Sequence, residues 1–117
     1  MVVPMAMPSP LPEELAEMIS RQFRLLSEPM RLRIIDRLRA GESSVGVLAS
    51  ELDASQQNIS KHLQTLYSAG AVTRRKEGNS VFYSVGDPAM IDMCDQVCGS
   101  MEKRLGNVAS VLESLQR

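Results

Sequence analysis

Between Ser43 and Val85 the spacing of apolar residues changes twice, and those changes restrict what the chain can build. Val45, Leu48, Ala49 and Leu52 recur at the interval of a helix with one buried face. Asp53-Ala54 interrupt that run. Ser55 follows with a side-chain oxygen suited to an N-cap, so a second helix is expected to start there. Its inward stripe is Ile59, Leu63 and Leu66 at i, i+4 and i+7, which leaves Gln56, Gln57, Ser60, Lys61 and Gln64 pointing outward. Gly70 stands where a left-handed residue closes a helix. Beyond it, residues 72–77 and 80–85 alternate in character around Gly78-Asn79, a hairpin signal. Val81, Tyr83 and Val85 share one face of the return strand and are placed to pack on the helices.

Helix, tight turn, helix and hairpin in that order form a unit able to enter a nucleic-acid groove, and the charge pattern agrees. From Ser55 to Lys76 the basic residues are Lys61, Arg74, Arg75 and Lys76, with no acidic one, although the whole chain carries a formal net charge of -1. The positive field is local, as suits a protein that shows one surface to a polyanion. The amides, hydroxyls and ammonium of the second helix are groups that base edges and phosphates accept, and Arg74, Arg75 and Lys76 near the hairpin tip suit the backbone. Taken singly each signal has a plainer explanation. Amphipathic helix pairs are common, and a basic hairpin also serves as a solvated edge strand that resists aggregation.

The run Leu26-Ser27-Glu28-Pro29-Met30-Arg31-Leu32-Arg33-Ile34-Ile35, then Gly41-Glu42, Ser55-Gln56, Ile59-Ser60-Lys61-His62-Leu63 and Ala69-Gly70-Ala71-Val72, resembles the ArsR/SmtB winged-helix repressors of prokaryotes. The resemblance covers about residues 23–85. It implies a mainly α fold with a small β-hairpin, a winged helix-turn-helix that dimerises through its terminal helices. It also implies a homodimeric regulator that sits on an operator and leaves when an effector binds. Which effector it does not say.

The 117 residues suffice for one core, built from Leu, Ile, Val and eight Met because aromatic residues make up only 3%. A core so thin favours dimerisation. Residues 1–10 are expected to be a flexible arm, with too many prolines for a secretory segment, and residues 11–117 a single DNA-binding and dimerisation domain. No apolar run approaches the roughly 20 residues that span a bilayer, so a cytoplasmic protein is expected. In that compartment two cysteines are thiols rather than a structural disulfide. A first helix is expected from Pro12 through Leu15, Met18, Ile19, Phe23 and Leu26, with Glu13 and Glu14 near its positive end. A second follows Pro29 and ends near Ala40-Gly41. It carries Arg31, Arg33, Arg37 and Arg39, either near phosphate or as a solvated face paired with Glu28 and Asp36.

After Asp87-Pro88, Met90, Cys94, Val97, Met101, Leu105, Val108, Leu112 and Leu115 recur every three or four residues, predicting one helix of about seven turns. Its stripe would pack on the first helix and on the matching helices of a second protomer, placing two reading helices about one DNA turn, roughly 34 Å, apart on an imperfect inverted repeat. Cys94 and Cys98 lie at i, i+4 on one face of this helix. Two readings stay open. The pair senses an effector, by chelating a soft metal with thiolates from both protomers or by oxidation or persulfidation; or the cysteines are small core hydrophobes.

Departures from the family pattern narrow the effector. Arsenic-type members carry Cys-Val-Cys where this chain has Ser44-Val45-Gly46, and zinc-sensing members need histidines with carboxylates at the C-terminal helices. The single histidine, His62, lies in the reading helix as a packing or DNA-proximal residue, and Asp92 and Asp95 beside Cys94 read as solvated acids. No Gly-rich phosphate loop, metal triad or nucleophile and base pair argues for an enzyme. The alternatives are a winged-helix module for protein contact alone and, more remotely, a thiol oxidoreductase, for which the CxxxC pair lacks basic neighbours.

Overall fold

The structure, a computed structural model, describes residues 6–106 and 108–116. The first five residues of the expected arm therefore lie outside the described residues; Ala6 to Pro10 are exposed and without regular structure. Helix α1 spans Glu13–Leu25, with Pro12 as its N-cap rather than its first helical residue and Glu13 and Glu14 in the first turn. Only Leu25 of α1 is buried, and Met18 and Phe23, expected on an inward stripe, are more than half exposed because nothing among the described residues covers them. Helix α2, Pro29–Arg39, starts on its proline and buries Ile34, Ile35 and Leu38.

A strand of two residues, β1 at Ser43–Ser44, comes next. Ser44 then caps α3, Val45–Glu51, its hydroxyl accepting from Val47 N at 3.3 Å. Asp53 takes a left-handed φ of 52°, which a short polar side chain tolerates, and turns the chain into α4, Gln56–Ser68. Ser55 caps α4 as expected, accepting from Asn58 N at 3.1 Å. Gly70, at φ 80°, ends it and leads into β2, Val72–Glu77. Gly78 reverses the chain into β3, Ser80–Val85, with Glu77 opposite Ser80.

The hairpin is not alone. β1 pairs antiparallel with β3, Ser43 opposite Tyr83 and Ser44 opposite Phe82, so the expected two strands are the larger part of a three-stranded sheet in the order β1-β3-β2. Leu48 of α3, Ile59, Leu63 and Leu66 of α4, Val72 and Tyr83 of the sheet and Met90 join the α2 residues in one core.

The C-terminal region corrects the expectation of a single long helix. Asp87 caps α5, Pro88–Leu105, and Gly106 ends it in the left-handed conformation with its N–H bonded to Glu102 O at 2.8 Å. A separate helix α6, Val108–Leu115, follows. The apolar period continues across the break, but a glycine at φ 64° ends the first helix, so the stripe belongs to two helices.

Candidate nucleic-acid interface

Helix α4 owes its position to its apolar stripe. Ile59, Leu63 and Leu66 are fully buried and hold it against α2, α3 and the sheet. The opposite face is therefore turned outward by that packing. Gln56, Gln57, Ser60, Lys61 and Gln64, the outward set read from the sequence, are all exposed and together line one shallow concavity. Ser55, also in that set, stands at its edge with its hydroxyl committed to the cap. Among the described residues Lys61 forms no ion pair. An amide-rich surface with one ammonium and no carboxylate can donate to and accept from base edges and meet phosphate.

The wing divides the three basic residues that the sequence groups together. Successive strand residues face opposite sides. Arg74 stands opposite Tyr83, and its guanidinium lies 4.0 Å from the centre of the Tyr67 ring at the end of α4. Arg75 stands opposite Phe82 on the other face, 4.7 Å above that ring. There its Nε donates to Glu42 Oε2 at 2.9 Å and its Nη1 to Glu77 Oε2 at 2.7 Å. The Arg75 hydrogen bond holds the Glu42 carboxyl below its usual 4.5, and the two carboxylates raise the guanidinium pKa in turn. One cation between two anions leaves that face with a local charge of -1, whereas Arg74 and Lys76 share the other with no ion pair among the described residues. Alternation of β2 is the signal in the sequence that separates Arg75 from its neighbours.

Three of the four arginines of α2 are tied down, and Arg33 forms no ion pair among the described residues. Arg37 pairs with Glu51, and Arg39 with Asp36 at 2.7 Å and Asp95 at 3.4 Å, so the expected Asp36 pairing is present, while Glu28 is replaced by other partners. Arg31 points its fork at α1, donating to Leu25 O and Arg24 O, and lies near His62 of α4. His62 is half-buried, and burial first, then Arg31, lowers its pKa from 6.5.

Cys94 and Cys98 are both free thiols, the first half-buried and the second exposed. With Phe23 of α1, Leu26 just after it, Leu32 of α2, and Met93, Val97 and Met101 of α5, they line an apolar groove of about 380 Å³. Burial and then Asp95 push the Cys94 thiol pKa up, which disfavours the thiolate that acts as nucleophile and metal ligand. Among the described residues no three His, Cys, Asp or Glu side chains gather as a metal site. Among the same residues no helix is long and apolar enough to cross a membrane.

A packed helix pair whose second member turns a polar face outward beside a basic strand defines a winged helix-turn-helix DNA-binding protein. Comparison with known proteins agrees. A family profile described as a helix-turn-helix domain matches residues 26–75. The HTH-type transcriptional regulator Rv0081 of Mycobacterium tuberculosis is 30% identical over 105 residues, covering 89% of this chain and 92% of the relative. Its crystal structure superimposes with a TM-score of 0.74 at 29% identity, over 82% of this chain and 97% of that one. The transcriptional repressor SmtB of the same species is 34% identical over 80 residues, 68% of this chain and 59% of the relative. The homodimeric winged helix-turn-helix domain of Mb0332 from Mycobacterium bovis, described as a possible ArsR-family regulator, gives a TM-score of 0.70 at 28% identity, over 86% and 94% of the two chains. The chain belongs to the ArsR/SmtB family of winged helix-turn-helix transcriptional regulators.

Proposed function

We propose that the chain is a homodimeric repressor that lays α4 in the major groove of an operator with imperfect inverted-repeat symmetry. Gln56, Gln57, Ser60, Lys61 and Gln64 would meet base edges and phosphates, Ser55 would hold the start of the helix, and Arg74 and Lys76 would grip the backbone alongside. Arg75, held between Glu42 and Glu77, would steady the wing and reach the backbone only by giving up those carboxylates. The observation that carries this reading is the outward face of α4, set by three fully buried residues on the opposite side and lined by polar groups alone. Residues 11–117 act as one unit, with the exposed apolar surfaces of α1 and α5 facing a second copy, as suits Met18, Phe23, Val97 and Leu105. A cytoplasmic location follows from the position of its DNA. In a gel shift on the DNA upstream of its own gene, binding weakens steeply with salt, because each phosphate contact releases counterions. Binding indifferent to salt would contradict the reading.

The groove that holds Cys94 and Cys98 is the site where an effector would act, by soft-metal chelation completed by a second protomer or by thiol modification. It lies between α1 and α5, so a ligand there would reset the spacing of the two reading helices. Cys94→Ser with Cys98→Ser should leave operator binding within about twofold and abolish release by soft metals, oxidants or sulfane sulfur. Release that persists in the double variant would assign sensing elsewhere.

A further inference from the structure

Helix α1 buries one side chain, Leu25, so among the described residues only its last turn joins the core. Polar bonds secure the same turn. Arg31 Nε donates to Leu25 O at 2.7 Å, and Nη2 donates to Arg24 O at 3.0 Å. These are carbonyls at the end of a helix, where partners are scarce and a cation also meets the negative end of the dipole. The remaining arm of the fork, Nη1, faces His62 Nδ1 across 3.4 Å, longer than an ordinary hydrogen bond. A guanidinium can only donate, so a hydrogen bond across this gap requires Nδ1 to accept, with a neutral imidazole carrying its proton on Nε2. One side chain of α2 thus spans the end of α1 and the middle of α4.

We propose that Arg31 and His62 are a positioning pair that fixes the recognition helix against the end of α1, and that operator affinity falls when His62 gains a proton. The proposal rests on the reading of α4 as the helix that enters DNA. The charged groups around His62 are Arg31 on α2, Glu28 just before it and Lys61 on its own helix. Two of the three are cations. A protonated imidazole has two donors and no acceptor, so the contact would become two positive charges facing each other. Burial, Arg31 and Lys61 all favour the neutral ring, and only Glu28 opposes them. The folded-state pKa lies below 6.5, so the tie is fully present above that value and is lost as pH falls through the lowered one. The opposite sign would hold if His62 were a phosphate contact, because protonation would then strengthen binding.

The chain has one histidine, so no second imidazole titrates in the same range. Operator binding is followed by fluorescence anisotropy at constant salt between about pH 5.5 and 8, with circular dichroism melts at each pH. The wild-type affinity should be level above neutrality and drop about five- to tenfold toward the acid end. His62→Asn supplies Oδ1 near the position of Nδ1 and does not titrate, so it should keep the neutral-pH affinity within about twofold and show no pH dependence. A residue that only stabilises the fold would move the melts and leave the binding profile alone. In the second measurement, the ring proton resonances of the same histidine are titrated by NMR without DNA. They should give a pKa below 6.5, raised in Arg31→Gln.

A wild-type affinity that rises toward acid, a level wild-type profile, a sloping His62→Asn profile or a histidine pKa indifferent to Arg31→Gln would each overturn the pairing. Ser60→Ala with Lys61→Ala separates this failure from failure of the underlying reading. If that variant loses affinity while the pH profile is level, only the pairing falls; if it binds as wild type, the role of α4 falls with it.

Discussion

Replacing Ser60 and Lys61 together by alanine should lower operator affinity by at least roughly tenfold, while the melting temperature and oligomeric state stay as they were. Both side chains lie on the exposed face of α4, and neither forms a side-chain hydrogen bond or ion pair among the described residues. Alanine is also a good helix former, so the folded protein loses little. A base-edge contact is worth about 1–3 kcal/mol of discrimination, and Lys61 adds a phosphate contact that also steepens the salt dependence. The slope of log affinity against log salt should become shallower by about 0.9 for each lysine lost, or about twice that in a dimer. An unchanged affinity would mean that another face of α4, or another element, meets DNA.

Leu63→Ala should have the other large effect, on folding rather than on contact. Leu63 is fully buried on the stripe that holds α4 to the core. Removing a leucine side chain from such a site costs about 2–5 kcal/mol, a large share of the roughly 5–15 kcal/mol that keeps a small domain folded. Urea unfolding at fixed protein concentration, which matters for a dimer, measures the loss. Operator binding should fail in parallel with folding. A change below about 0.5 kcal/mol, typical of surface sites, would mean that α4 is not anchored through this residue.

The helix-turn-helix and its outward face were legible because each rests on a strong local rule. The stripe of Ile59, Leu63 and Leu66 fixes which side of α4 is buried, Ser55 fixes where it starts and Gly70 where it stops. The boundaries of β2 and β3 likewise follow from the alternation around Gly78. What the sequence left hidden depends on contacts between distant residues. A two-residue strand at Ser43–Ser44 has no period to detect and forms only because β3 offers an edge. The neutralisation of Arg75 requires Glu42, 33 residues away in the chain, to lie beside the wing. The reach of Arg31 to both α1 and His62 needs the same kind of tertiary placement.

The break at Gly106 is a different case. Its signal was present in the residue itself, but the apolar spacing runs on through it and masks the end of the helix. The cysteines show the limit of local pattern most clearly. An i, i+4 pair on one face of α5 was readable, yet the groove it lines is assembled from α1, α2 and α5 together.

The most direct measurement is an NMR titration of the isotopically labelled protein with its operator duplex, following every assigned backbone amide. The largest shifts should fall on Gln56, Gln57, Ser60, Lys61 and Gln64, with a second group at Arg74 and Lys76 and only small changes along α5. Dominant shifts on α1 and α5, with the outward face of α4 unmoved, would contradict the account.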